Sequence, residues 1–354
     1  MIEPIDLIRP ELLALSAYHV PDSSGFIKLD AMENPYRLPP KLRAQLAEKL
    51  EAAFINRYPD PTATQLRERL IETMGIPAGF DVLLGNGSDE LIQILAMAVA
   101  RPGAVILGVE PSFVMYRMIA GFCGMKYVGV PLREDFTLDL RATLAAIKEH
   151  KPALVFLSYP NNPTGNRFEI DAVGDILQAA PGLVVVDEAY HAFADDSFMP
   201  RLPQFPNLLV MRTLSKLGLA GLRLGFMAGR PEWLNEFDKV RLPYNINVLT
   251  QTAATFALDH LDILDGQAAA LRAERARLSA GLAALSGVTV YPSEANFVLA
   301  RVPDARKTHA ALKAGGILIK TLHGAHPLLS QCLRFTVGTP EENDAVLAAM
   351  AQSL

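Results

Sequence analysis

The chain has 354 residues, 50% of them hydrophobic, enough for one large core or for a large domain with a smaller one beside it. Its 33 basic and 38 acidic residues leave a formal charge of -5 with no block of like charge, which speaks against a nucleic-acid-binding face. Two cysteines, Cys123 and Cys332, are too few for a disulfide framework and are not spaced like zinc ligands, so a cytoplasmic location is expected and a metal site is not.

The segment MIEPIDLIRPELLAL carries Glu3 and Asp6 where an export signal would carry positive charge, and no DNA-binding extension is expected ahead of it. Residues 1–40 are rich in proline and turn signals (PDSSG, ENPY, LPP), with weak periodicity, and are predicted to form an arm that joins other surfaces. Between residues 80 and 230, short β-rich runs alternate with helical patterns: VLLG at 82–85, AVILGV at 104–109, KYVGV at 126–130, ALVFLS at 153–158, LVVVDEA at 183–189, NLLVMRT at 207–213 and LGFMAG at 224–229. Continuous apolar strands such as LVVV suit a sheet buried on both faces, so residues 41–245 are predicted to be a large α/β domain with a mostly parallel sheet covered by helices. The most apolar run, Leu91 to Ala100, is about half of the roughly 20 residues that span a bilayer, so a buried helix is expected and a membrane anchor is not. From 246 a long helical stretch puts Leu261, Leu264, Ala268, Leu271, Arg275, Leu278 and Leu282 on one mainly apolar face. Strand-like VTVYP (288–292), NFVLARV (296–302), GILIK (316–320) and CLRFTVG (332–338) follow, and residues 246–354 are predicted to be a smaller α+β domain.

In open α/β sheets ligands sit beyond the carboxyl ends of the strands, so polar residues directly after apolar strands come first. Lys216 follows LLVMRT, and an ammonium placed in such a crevice loses protons readily and becomes a candidate amine nucleophile toward an aldehyde. Asp187 ends LVVV, where a carboxylate can pair with a protonated ring nitrogen. Ser88 precedes the apolar-periodic Leu91, Ile92, Leu95 and Val99, and as an N-cap it would turn backbone N–H groups outward toward a phosphate, with Gly87 and Asp89 beside it. Arg223 could bring a guanidinium to the same anion, and Phe113 could lie against a ring. Each residue also has an ordinary reading: a surface lysine or arginine, a helix cap, a core phenylalanine. Gly85-Asn86-Gly87 lacks the third glycine of a dinucleotide fingerprint, and neither a serine-hydrolase elbow nor HExxH occurs.

Taken together, YPNNPTG at 159–165, VVVDEAY at 184–190, TLSK at 213–216 and GLRLG at 221–225 resemble the fold-type I pyridoxal-phosphate aminotransferases over nearly the whole chain. Within that family LDAMENPY at 29–36, NRYPDP at 56–61, GNGSDE at 85–90 and LRFTVGTPEEN at 333–343 are most similar to the histidinol-phosphate aminotransferases. The resemblance implies a transaminase of histidine biosynthesis with pyridoxal 5'-phosphate as cofactor, carried as a Schiff base on Lys216, which then serves as general base and acid. It implies Asp187 at the pyridine nitrogen, Asn162 and Tyr190 at the ring hydroxyl, Phe113 against the ring, and Ser88, Ser215 and Arg223 at the phosphate with Thr213 as a helper. It further implies a homodimer in which Tyr58 reaches the phosphate of the partner subunit's site. Arg334 would receive the substrate's anionic group, with Tyr18 and Asn34 closing over it. Lys320 stands where relatives carry an arginine, a point charge without the two-pronged fork. A threonine-phosphate decarboxylase and a broad aromatic aminotransferase would use nearly the same residues, and a non-catalytic aminotransferase-like domain of a regulator is a further alternative.

Overall fold

All eleven runs expected as strands form strands in the computed structural model, which describes residues 2–17 and 20–354, and a twelfth joins them. In chain order they are β1 (Ile27–Leu29), β2 (Asp81–Gly85), β3 (Val105–Glu110), β4 (Lys126–Pro131), β5 (Leu154–Ser158), β6 (Leu183–Asp187), β7 (Leu208–Thr213), β8 (Gly225–Gly229), β9 (Thr289–Val290), β10 (Phe297–Arg301), β11 (Ile317–Thr321) and β12 (Cys332–Thr336). The larger sheet has the order β2-β8-β7-β6-β5-β3-β4. Its β8 runs antiparallel to β2 and β7, and every other pairing is parallel.

The central strands are apolar throughout because each face of the sheet has its own core. Leu183 and Val185 point into one core with Leu154, Phe156, Leu209 and Met211. Val184 and Val186 point into the other with Val155, Leu157, Leu208 and Val210. Helices Ser88–Val99 and Met115–Phe122 cover the first face and helices Thr64–Thr73, Leu140–His150 and Ile170–Ala179 the second. With both faces closed, the buried polar residues of the central strands gather toward their carboxyl ends. Ser158 and Asp187 are register partners at the ends of β5 and β6, so the polar ends form one rim.

The smaller sheet has the order β1-β11-β12-β10-β9. Its edge strand comes from the N-terminal arm: Ile27 pairs in parallel with Ile317. Helix Leu261–Ala283 buries Leu264, Ala268, Leu271, Leu278 and Leu282, the stripe read from the sequence. Arg275, on that stripe, instead donates to the carbonyls of Phe193 (3.1 Å) and Ala295 (2.9 Å). Helix Val248–Leu258, at the start of the second expected unit, packs on helices Pro40–Glu51 and Thr64–Thr73 of the first. The core of the smaller sheet is continuous with one face of the larger.

Candidate active site

The rim of the larger sheet holds about 540 Å³ of open space, and most residues expected at the cofactor line it. Asp187, at the end of β6, is fully buried there. One carboxyl oxygen accepts from the Tyr116 hydroxyl (2.6 Å) and the other from the Ala189 amide (3.1 Å). Burial pushes its pKa up to about 6, opposed by the Tyr116 and Ala189 hydrogen bonds. Asp187 does not cap a helix, so that alternative falls away. Behind it Glu188 pairs with Arg212 at 2.8 Å, both buried, and Ser197 Oγ donates to the same carboxylate at 2.9 Å. Such a pair is held by its hydrogen bonds, and removing one partner costs about 3–5 kcal/mol.

Lys216 lies in the same cavity, within the tight turn Ser215–Leu219 after β7. Its Nζ donates to the Ala31 carbonyl at 3.1 Å. Its pKa is lowered to about 8, by burial first and then by the positive charges of Arg334 and Arg223, with Glu33 and Asp89 opposing them. Thr213 Oγ1 accepts from the Ser215 amide (3.1 Å) and contacts the Leu224 carbonyl (3.1 Å), so it first secures the turn itself. Tyr190 and Asn162 complete this wall. Burial raises the Tyr190 phenol, with Arg334 pulling it back, and its ring meets Phe297 edge-on at 5.2 Å.

The opposite end of the cavity is built by the start of helix Ser88–Val99. Ser88 is not the N-cap: Gly87 is, with φ +84, and Ser88 is the first helical residue. The left-handed backbone favours glycine, and a Cβ at Gly87 would stand 2.8 Å from Arg223 Nη2. Arg223 therefore lies directly over the helix start. Its Nη2 is 3.5 Å from Asp89 Oδ2 in a half-exposed pair that contributes little to stability. Phe113 lines the cavity on the side of Tyr116, its ring 5.5 Å from that of Tyr116 and edge-on.

Past Phe113, Asn162 and Met32 a second space of about 1140 Å³ opens toward the smaller sheet, and Lys320 and Arg334 line it. These two are direct register partners on β11 and β12. Arg334 is buried and donates to Asn162 Oδ1 (2.6 Å) and the Asp30 carbonyl (2.9 Å), with its guanidinium 5.3 Å from the Phe297 ring centre. Asn34 is not in either wall: its amide nitrogen donates to Gln267 Oε1 (3.0 Å) and the Leu217 carbonyl (3.3 Å), tying the arm to the turn that carries Lys216. Tyr58 is 81% exposed and stacks on Tyr244 at 4.5 Å, away from this chain's own cavity. Tyr18 lies outside the described residues. Sequence reasoning missed Tyr116, Ser158 and Met32, all at the cavity or against Asp187.

A profile of the family described as "Aminotransferase class I and II" matches residues 24–350. The chain belongs to that family. Among its relatives, "Histidinol-phosphate aminotransferase 2" of Cupriavidus pinatubonensis is 60% identical, covering 98% of this chain and 96% of that one. "Histidinol-phosphate aminotransferase" of Chromobacterium violaceum is 61% identical, covering 97% of each. Among solved structures, histidinol-phosphate aminotransferase from Sinorhizobium meliloti, in complex with pyridoxal-5'-phosphate, superposes with a TM-score of 0.88 at 27% identity, covering 98% of this chain and 97% of that one. The mixed sheet of the aminotransferase is thus that of its family.

Proposed function

We propose that this aminotransferase exchanges the amino group between L-glutamate and imidazole-acetol phosphate, giving 2-oxoglutarate and L-histidinol phosphate, as a step of histidine biosynthesis. The observation that carries the reading is a buried carboxylate and a buried amine facing one cavity, Asp187 and Lys216, with two cations on its outer side.

The cavity residues fit pyridoxal phosphate. Asp187, buried with its pKa raised to about 6, suits a cationic ring N–H that would stabilise its charged form. The glycine-capped helix start with Arg223 over it suits a phosphate, with Ser88 and Ser215 beside it. Asn162 and Tyr190 would hold the ring oxygen and Phe113 would lie against the ring. When bound, this cofactor supplies an aldehyde for the amino group and a protonated ring that draws electron density from the substrate's Cα. Lys216, with its pKa lowered to about 8, is neutral in a useful fraction near neutral pH and would take the Cα proton. Burial at the rim excludes water from that proton.

Lys320 and Arg334 are register partners on one antiparallel pair and both line the outer space, so two cationic side chains share one wall of it. That supports an anion site alternately taken by the glutamate carboxylate and the phosphate of the other substrate. Purified enzyme given glutamate and imidazole-acetol phosphate should release 2-oxoglutarate in step with histidinol phosphate; no 2-oxoglutarate would sink the reading.

The same reading extends to a homodimer in the cytoplasm. Phe54 (74% exposed), Ile55 (75%), Tyr58 (81%) and Leu242 (72%) are large apolar side chains left in water by one chain alone, which supports a second copy covering them with Tyr58 at its cavity. The two cysteines are free, and no helix among the described residues is long and apolar enough to cross a membrane. Light scattering should give twice the mass of one chain; a fully active monomer would refute the shared site.

A further inference from the structure

The outer space beyond Phe113 differs in character from the inner cavity. Pro111, Phe113, Leu322 and Leu329 give it flat apolar sides, while Lys320 and Arg334 give it positive charge. Such a slot suits a ring that carries an anionic tail. Glu110, at the carboxyl end of β3, is the one carboxylate among the described residues of this lining. A carboxylate beside an anion site opposes the anion through its own charge, and a hydrogen-bond donor on the same ligand would offset that cost.

Glu110 is held in a built position. Arg117, from helix Met115–Phe122, donates Nε to Glu110 Oε1 at 3.0 Å and Nη2 to the same oxygen, and its guanidinium lies 4.8 Å from the Tyr127 ring centre. Both arginine donors go to Oε1; among the described residues Oε2 takes no hydrogen bond. On the neighbouring strand the Glu110 carboxyl group packs over Gly129, where the missing side chain leaves it room. An ion pair this exposed contributes little to folding. Across the cleft stands His326, whose Nδ1 accepts from the Leu328 amide at 3.2 Å, which leaves Nε2 as its donor.

We propose that Glu110 is a specificity-determining residue that accepts a hydrogen bond from a ring N–H of the substrate's imidazole, with Arg117 as the positioning residue that fixes it. The proposal deepens the histidinol-phosphate reading and rests on it. An imidazole brings a donor to Oε2; a phenyl ring of similar flat shape brings none and covers that oxygen without replacing its water. Glu110 thus selects within a slot whose apolar walls would accept either ring.

The test uses the holoenzyme with 2-oxoglutarate and compares histidinol phosphate with phenylalaninol phosphate, the same molecule with a ring that has no N–H. Each is read as kcat/KM, or as an inhibition constant where turnover is too slow. In Glu110→Ala the preference for histidinol phosphate should fall about 10- to 100-fold, through KM more than kcat. Arg117→Ala should shift the same preference in the same direction by less, again in KM. Wild-type enzyme supplies a check independent of any variant: of the two histidinol phosphates methylated on one ring nitrogen, one should lose a similar factor relative to the other. A preference unchanged in Glu110→Ala, or wild type treating both methyl isomers like the parent, overturns the proposal. Wild-type enzyme that does not turn over histidinol phosphate at all overturns instead the function on which the proposal rests.

Discussion

Replacing Lys216 with alanine should lower transamination by about 10⁴-fold while leaving the fold and cofactor affinity measurable. The buried amine has its pKa at about 8, through burial first and the nearby Arg334 and Arg223 charges after it. A depressed pKa means that a growing fraction is neutral as pH rises through about 8, so the group can accept a proton where an ordinary lysine near 10.5 could not. Its hydrogen bond to the Ala31 carbonyl holds Nζ in the cavity without supplying a charge partner. Alanine removes the proton acceptor and also a costly buried cation, so the variant should melt no lower than wild type. Lys216→Arg keeps a cation that stays protonated and should be equally inactive. Single-turnover reaction with glutamate measures the loss, and small primary amines added to Lys216→Ala should restore part of the rate. Several per cent of wild-type turnover in the alanine variant would remove Lys216 from the chemistry. Borohydride treatment of the wild type should fix a pyridoxyl label on the Lys216 peptide, and label on another lysine would contradict the assignment.

The sequence displays the residues that end buried strands and conceals those that approach from the side. Asp187 and Lys216 were legible because a polar residue straight after LVVV or LLVMRT interrupts an apolar pattern at a strand's carboxyl end. Tyr116 was not, because it is fully buried inside a helix and stacks on Phe156 at 4.6 Å, so its period reads as core although its hydroxyl serves Asp187. Ser88 has the composition of an N-cap, but the positive φ of Gly87 moves the helix start by one residue, a matter of backbone angle that residue type alone leaves open. β1 has only three residues and pairs with Ile317–Ile319, almost the whole chain away, so no local pattern marks it. Glu110 and Arg117 read as surface charges until the close approach of Gly129 and the shared cavity with Lys320 are known. Local periodicity carries the layers of the fold; contacts between distant segments complete the site.

Asp187→Asn should reduce turnover by about 10²- to 10³-fold and yet stabilise the protein when no cofactor is bound. The carboxyl group has a folded pKa of about 6 against an ordinary 3.8, raised by burial that the Tyr116 and Ala189 hydrogen bonds only partly offset. A raised pKa means that the folded state holds the proton more tightly than the unfolded one. The stabilising contribution is therefore complete below 3.8, declines as pH rises, and is lost once pH passes about 6, a swing of up to about 3 kcal/mol. Asparagine does not titrate, and it can keep its oxygen on the Ala189 amide while its Nδ2 donates to the Tyr116 hydroxyl oxygen, so cofactor-free Asp187→Asn should melt above cofactor-free wild type, by a margin that widens from pH 5 to pH 8. Saturating pyridoxal phosphate should reverse the order at pH 8, because only the aspartate meets the ring N–H as a charged pair, and mass action then adds the tighter binding to the wild type's stability. Thermal melts of both proteins, with and without cofactor across that pH range, check all four states. If the cofactor-free wild type is the more stable at pH 8, the strain of a buried carboxylate waiting for a cation is not present. If the order survives saturation with cofactor, Asp187 does not pair with the ring, and the loss of turnover needs another cause.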